Sequence, residues 1–441
     1  MNLTSIVKKL IACSCLLFGA AFSTSAQRVI PVDSSKMQTL RIDPSNAMGG
    51  NVSDFFTEVN YIPLETTDEC IFGSISKLEI TDDYFIIFDY NTHAILIFNK
   101  NGKFHAKIKS NETTPIWGFT LNRFAKQIVY SRDNYKTIIY ADYDAKTIKT
   151  EKFLKSDLAK DEVSGSNSFY FSADKALTYS YANRLDTNDK YYKTYSKSLI
   201  VFYNDKNKVY AHGLPFDPRE ADMQHIGGGV GPLSSFGVDT AFFYSKVYSG
   251  KIYTITPNAI QLTYKFIFPF YSSIPADFAV NPIYKQKQVE YVSKHPKEIF
   301  NITNFYQINN NLIFRAQTWG WGNKEDNLIY NLKTGTLIAY KHILQDEKSY
   351  FLPLYDDLNG GGSFDQSGIL ACQGGYLYTS ASSLAMFSYQ EKYGDPITKS
   401  TPTFGNETKK SKYPPALETY FKKGSRRDNP VIMQLKLKDD L

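Results

Sequence analysis

Ile75-Ser76-Lys77-Leu78-Glu79-Ile80 stops at Asp82-Asp83 and is followed at once by Tyr84-Phe85-Ile86-Ile87-Phe88. Ile95-Leu96-Ile97-Phe98 then breaks at Asn99-Lys100-Asn101-Gly102 and resumes through residues 103–108. Short aromatic and β-branched runs separated by tight polar turns read as consecutive antiparallel strands. Residues 73–108 therefore predict one four-stranded meander.

The same pattern recurs along the chain. Runs at 137–140, 198–203, 251–255 and 327–330 each break at a polar turn, and each has a second hairpin just before it. Repetition of one supersecondary unit implies a radial array, because such a unit buries its faces only against its neighbours. The predicted fold is all-β, a six-bladed β-propeller of four-stranded antiparallel blades at about 73–108, 118–153, 168–210, 233–268, 300–343 and 366–437. The last unit has only three strands at the C-terminal end. Its fourth is available at 58–65, where Pro63 suits an outer edge that needs no ladder donor. Closure by strands from both ends of the chain removes an open edge. Residues 275–295 and 414–423 carry helical patterning as insertions, and residues 27–54 are expected to be a flexible lead.

Composition narrows the class. Residues 1–26 have Lys8 and Lys9, an apolar stretch over 10–22 and the small residues Thr24-Ser25-Ala26, the layout of a secretory signal peptide. The expected location is therefore the periplasm or cell surface. Lipidation at Cys13 is disfavoured because the apolar run follows it, and no later stretch is long enough to span a bilayer. The formal charge of +6 includes Lys8 and Lys9, and residues 409–427 hold seven basic residues against the single Glu418. The rest of the chain is slightly acidic, which argues against nucleic acid as a partner. A monomer is expected.

After signal removal only Cys70 and Cys372 remain, a candidate disulfide in an exported protein, although no spacing distinguishes it from two separate buried thiols. The six His show no metal-ligand spacing, so no metal site and no cofactor are expected.

Several of these stretches resemble the secreted six-bladed β-propellers of Bacteroidetes, similar in architecture to NHL-type propellers. The resemblance is carried by Val59-Asn60-Tyr61-Ile62-Pro63-Leu64-Glu65-Thr66, by the first meander, by Asp356-Asp357-Leu358-Asn359-Gly360-Gly361 and by Asp428-Asn429-Pro430-Val431-Ile432. It implies the fold over essentially the whole mature chain and no particular chemistry.

In a four-strand meander the first-to-second and third-to-fourth connections lie at one end, while the others lie at the opposite end. The first kind are tight throughout. The second kind include the long stretches 182–197, 211–232, 269–298, 317–326, 344–365 and 381–430. Long loops on a rigid scaffold carry function, so the site is expected on that end. Candidate ligand-binding residues there are Arg315, Trp319, Trp321, Tyr355, Asp356, Asp357 and His225. The two Trp flank Gly320, and an exposed Trp can stack on a sugar or anchor a protein; packing beneath neighbouring loops is the plain alternative. Asp357-x-Asn359-x-Gly361 only partly matches a calcium loop, since Gly361 and Gly368 stand where oxygen ligands belong. Gly227-Gly228-Gly229 lacks the Lys-Ser/Thr of a phosphate loop. The expected function is an exported binding or scaffold propeller holding a carbohydrate, peptide or protein. The alternative is a hydrolase or lyase acting on glycans with acidic residues at the channel mouth; no catalytic residue can be named.

Overall fold

A computed structural model describes residues 28–441 except 111–112, 133–135, 153–167, 180–197, 222, 225, 227–232, 236–239, 320–326, 356–368 and 394–412. Six antiparallel sheets form the blades of a β-propeller. The first blade is Lys77–Ile80, Tyr84–Asp89, Ala94–Asn99 and Phe104–Ile108, paired in sequence order. Its two middle strands are almost wholly buried because blades pack on both of their faces. That burial accounts for the unbroken apolar runs in the sequence, where a one-sided sheet would alternate.

The second to fifth blades begin with Phe119–Asn122, Phe169–Tyr170, Leu233–Ser235 and Asn301–Ile308. The sixth contains Ala371–Gln373, Tyr376–Ala381 and Val431–Leu437, and its outer strand is Phe56–Pro63. Val431 pairs with Pro63, Met433 with Tyr61 and Leu435 with Val59, so strands from the two ends of the chain close the ring.

The expectation of a flexible lead is corrected for residues 28–51. Arg28–Ile30 runs parallel along the outer strand of the third blade; Val32–Asp33 and Gln38–Arg41 do so on the fourth, and Met48–Asn51 on the fifth. The segment is a strap across three blade edges. Its strands are two to four residues long and mostly exposed, so the pattern of inward residues is too sparse to read. Ile30, Leu40 and Ile42 are the buried anchors.

Within the insertions, helices form at Gln288–Lys294 and Pro415–Lys423. A third helix, Ser383–Tyr393, escapes the sequence reading because it buries only Ser383, Ala385 and Met386 and shows almost no amphipathic periodicity. The insertion over 269–298 has a small core of its own, in which Phe278 and Val292 pack with Tyr248, Phe300 and Ile226.

Candidate functional site

The first strand of each blade lines a central channel of about 410 Å³ that touches all six blades. Its chemistry is set by short strands whose inward side chains are polar or aromatic, among them Ser234, Ser235, Thr303, Asn304, Gln373 and Phe305. Three charged side chains stand among the described lining residues: Lys77, Glu79 and Arg123.

These three knit the first blade to the second. Arg123 Nη2 donates to Glu79 Oε2 at 2.7 Å, and its Nη1 donates to the Ile80 carbonyl. Lys77 Nζ lies 3.4 Å from Glu79 Oε1, donates to the Phe119 carbonyl at 2.7 Å and sits 5.0 Å from the Phe119 ring centre. Burial alone would raise the Glu79 carboxyl, but the Lys77 and Arg123 cations and their hydrogen bonds outweigh it and hold it below the ordinary value. Glu79 is therefore a fixed carboxylate at neutral pH and an unsuitable proton donor.

An aromatic shelf stands beside this triad at the channel end where the innermost strands begin, the end that also bears the long connections. Tyr90 follows the strand Tyr84–Asp89, and Trp117 precedes Phe119–Asn122; they are 53% and 44% exposed. Their ring centres are 5.9 Å apart, and His93 stands edge-on to Trp117 at 4.6 Å. The shelf is braced from behind. His93 Nδ1 donates to the Ile116 carbonyl at 3.0 Å, and the Tyr90 amide donates to Ser76 Oγ at 3.1 Å. Exposed aromatic faces held by their backbone cost little further ordering when a ligand arrives. Thr120, next to Phe119, is buried against the channel with no hydrogen-bond partner for its Oγ1.

Of the residues expected from sequence, Arg315, Trp319 and Tyr355 are described. Trp319 is half-buried against the core of the 269–298 insertion, with Phe278, Tyr284 and Tyr291 in the same cluster. Tyr355 is half-buried; its hydroxyl donates to the Lys341 carbonyl at 3.2 Å and its ring lies 5.9 Å from Tyr340. Arg315 sits on Asn311–Gln317, paired with Thr303 and Asn327. Trp321, Asp356, Asp357 and His225 lie outside the described residues. Cys70 and Cys372 are both free and buried, so the candidate disulfide is absent. Cys70 donates to the Glu65 carbonyl at 3.1 Å in the link between the sixth and first blades, whereas Cys372 is on an innermost strand, where burial pushes its thiol well up.

The sequence reading missed Trp117, Tyr90, Lys77 and Thr120. Tyr90 falls in the tight turn 90–93 and Trp117 in the link 109–118, neither of them among the stretches marked for their length. No group of three or more His, Cys, Asp or Glu capable of holding a metal occurs among the described residues. No helix among them is long and apolar enough to cross a membrane.

A closed ring of six four-stranded blades around a lined channel defines the molecule as a β-propeller. The chain belongs to the family described as a domain of unknown function, DUF4934, whose model matches residues 38–436. It is similar in fold to a solved "Putative exported protein" from Bacteroides fragilis, with 12% identity, a TM-score of 0.59, and coverage of 91% of this chain and 99% of that one. A solved member of the DUF4221 family from Bacteroides vulgatus aligns at 10% identity and a TM-score of 0.46, over 87% of this chain and 97% of its own. Virginiamycin B lyase from Staphylococcus aureus aligns at 13% identity and a TM-score of 0.33, over 64% of this chain and 72% of its own. No curated protein matches the chain.

Proposed function

We propose that this protein is an exported binding propeller that holds a carbohydrate at the long-loop mouth of its channel. The observation that carries the reading is the Tyr90–His93–Trp117 shelf, an exposed aromatic surface at the rim of a channel lined by hydroxyl and amide side chains. The C–H face of a pyranose is apolar and packs on aromatic rings, while its hydroxyls require polar partners. Shelf and channel supply one each. Export follows from the signal-like residues 1–26, and the description of the Bacteroides fragilis relative as exported is in keeping with it.

Glu79 does not fit the role of proton donor in a glycan-cleaving site. Hydrolysis with two carboxyl groups requires one that can give up a proton. Glu79, the carboxylate found among the described channel-lining residues, is held ionised between two cations. A glycan array with the protein lacking residues 1–26 tests the proposal: at least one glycan should bind, and Trp117→Ala should weaken it. Binding that is untouched by both Trp117→Ala and Tyr90→Ala would remove the shelf from the site.

A further inference from the structure

The charges beneath the shelf define what kind of sugar the channel takes. Lys77 is linked to the shelf through its neighbours in the chain. Its ammonium donates to the carbonyl of Phe119, two residues beyond Trp117, and the Ser76 hydroxyl next to it in sequence receives the Tyr90 amide. Among the described lining residues two cations face one carboxylate, leaving a surplus of one positive charge in a narrow channel whose walls include Phe88, Phe169, Phe305 and Tyr306. Low-dielectric walls concentrate the field of that surplus. An ammonium has three donors, and the Phe119 carbonyl and Glu79 occupy two of those on Lys77. Thr120 supplies an independent sign. Its side chain is buried against the channel and against the smaller cavity beside it, which Lys77, Glu79 and Arg123 also line, and its hydroxyl has no partner. A buried hydroxyl is costly to leave without a partner, so it favours whatever can bond it.

Resting on the carbohydrate reading above, we infer that the channel selects a glycan bearing a carboxylate, of the uronic-acid type. The sugar ring stacks on Trp117 and Tyr90, and its carboxylate enters beneath the shelf to accept from Lys77 Nζ and, once the buried Thr120 side chain turns toward the channel, from its Oγ1. A monoanion matches the surplus of one charge among the described lining residues. The bonds are charge-assisted and specific to the ionised acid.

The test uses the protein lacking residues 1–26 and a panel of matched pairs, each a hexuronate oligosaccharide and its methyl ester, measured by calorimetry. The acid should bind at least about tenfold more tightly than its ester, the difference made by one good charge-assisted contact. Raising salt to about 0.5 M should shrink that ratio, because screening acts on the acid alone. Lys77→Met should bring the acid down to the affinity of the ester, with Lys77→Arg restoring part of the preference. Thermal melting of both variants separates lost binding from lost folding, and the salt dependence of the unaltered protein needs no variant at all. Equal affinity for acid and ester would overturn the inference and leave the carbohydrate reading standing. Absence of binding to every member of the panel, together with an empty neutral-glycan array, would overturn both.

Discussion

Asn429 Nδ2 donates to the backbone carbonyl of Glu65 at 2.7 Å, joining the last stretch of the chain to the link between the closing strand and the first blade. The same side chain donates to the Cys70 carbonyl at 3.0 Å and accepts from the Phe72 amide at 2.9 Å, and it is fully buried. Glu65 in turn holds the first blade: its Oε2 accepts from the Phe104 amide at 2.9 Å and its amide donates to the Gly102 carbonyl at 2.8 Å. Gly102 has φ +83°, and a Cβ there would lie 2.1 Å from the Pro63 carbonyl oxygen, so both backbone hand and space demand glycine. Three parts of the stretches that carry the family resemblance, 59–66, the 99–103 turn of the first meander and 428–432, thus converge on the seam where the ring closes. They are a clasp, which is why they point to a fold and to no chemistry.

Asn429→Ala should therefore be costly without touching the channel. It strands the buried Glu65 and Cys70 carbonyls and the Phe72 amide, and orphaned buried groups cost about 1–3 kcal/mol each. A loss of about 3 kcal/mol is expected in denaturant unfolding, since water will reach some of them. A loss below about 1 kcal/mol would mean that the clasp does not govern stability.

The two described tryptophans should separate cleanly. Trp117→Ala removes an exposed ring and should leave the melting temperature nearly unchanged while weakening glycan binding about tenfold or more, as loss of a central aromatic contact does. Trp319→Ala opens a gap against Phe278 and Tyr291, and should lower the melting temperature with little direct effect on binding. Calorimetric binding and a thermal melt on both variants decide it. The reverse pattern would return the site to the loops.

Acid should probe the Lys77–Glu79–Arg123 triad. The folded Glu79 carboxyl lies below its unfolded value near 4.5, so its stabilising contribution is complete above that pH and is lost as pH falls through the folded value. Glu79→Gln should cost stability at neutral pH, with the gap from the parent protein narrowing below about pH 4. Urea unfolding at a series of pH values measures that gap. A gap that stays constant with pH would show that the carboxylate is not held by these cations.

The fold was legible because each blade is sandwiched: runs such as Tyr84-Phe85-Ile86-Ile87-Phe88 must be apolar on both faces, and turns such as Asn99 to Gly102 have a distinct chemistry. Closure through 58–65 was legible for the same reason, because Val59 and Tyr61 pack inward against Leu435 and Met433. The site was not. Lys77 reads as one polar residue in a strand, and nothing local places Arg123 against Glu79 across a blade boundary. Sequence marked Trp319 for its neighbours Gly320 and Trp321, yet a distant helix, Gln288–Lys294, helps cover it. Contacts between blades are set by the circular arrangement, which no short window contains.

The strap over residues 28–51 yields the last prediction, because it can be removed without opening the ring. Its parallel strands cover the outer edges Val209–Pro215, Ile260–Ile267 and Leu337–Leu344, and Ile30, Leu40 and Ile42 fill the grooves beneath. Burying three such side chains is worth roughly 5 kcal/mol before the entropy of ordering the strap is subtracted. A protein beginning at residue 52 should keep one cooperative melt at a lower temperature and should self-associate, since three bare strand edges are templates for pairing. Deleting residues 55–66 instead removes the closing strand Phe56–Pro63 and should abolish the cooperative melt altogether. Size-exclusion chromatography and thermal melts of the two truncations compare these outcomes directly. If the shorter deletion at 55–66 were the milder one, closure would depend on the strap, and the seam at Asn429 and Glu65 would be secondary.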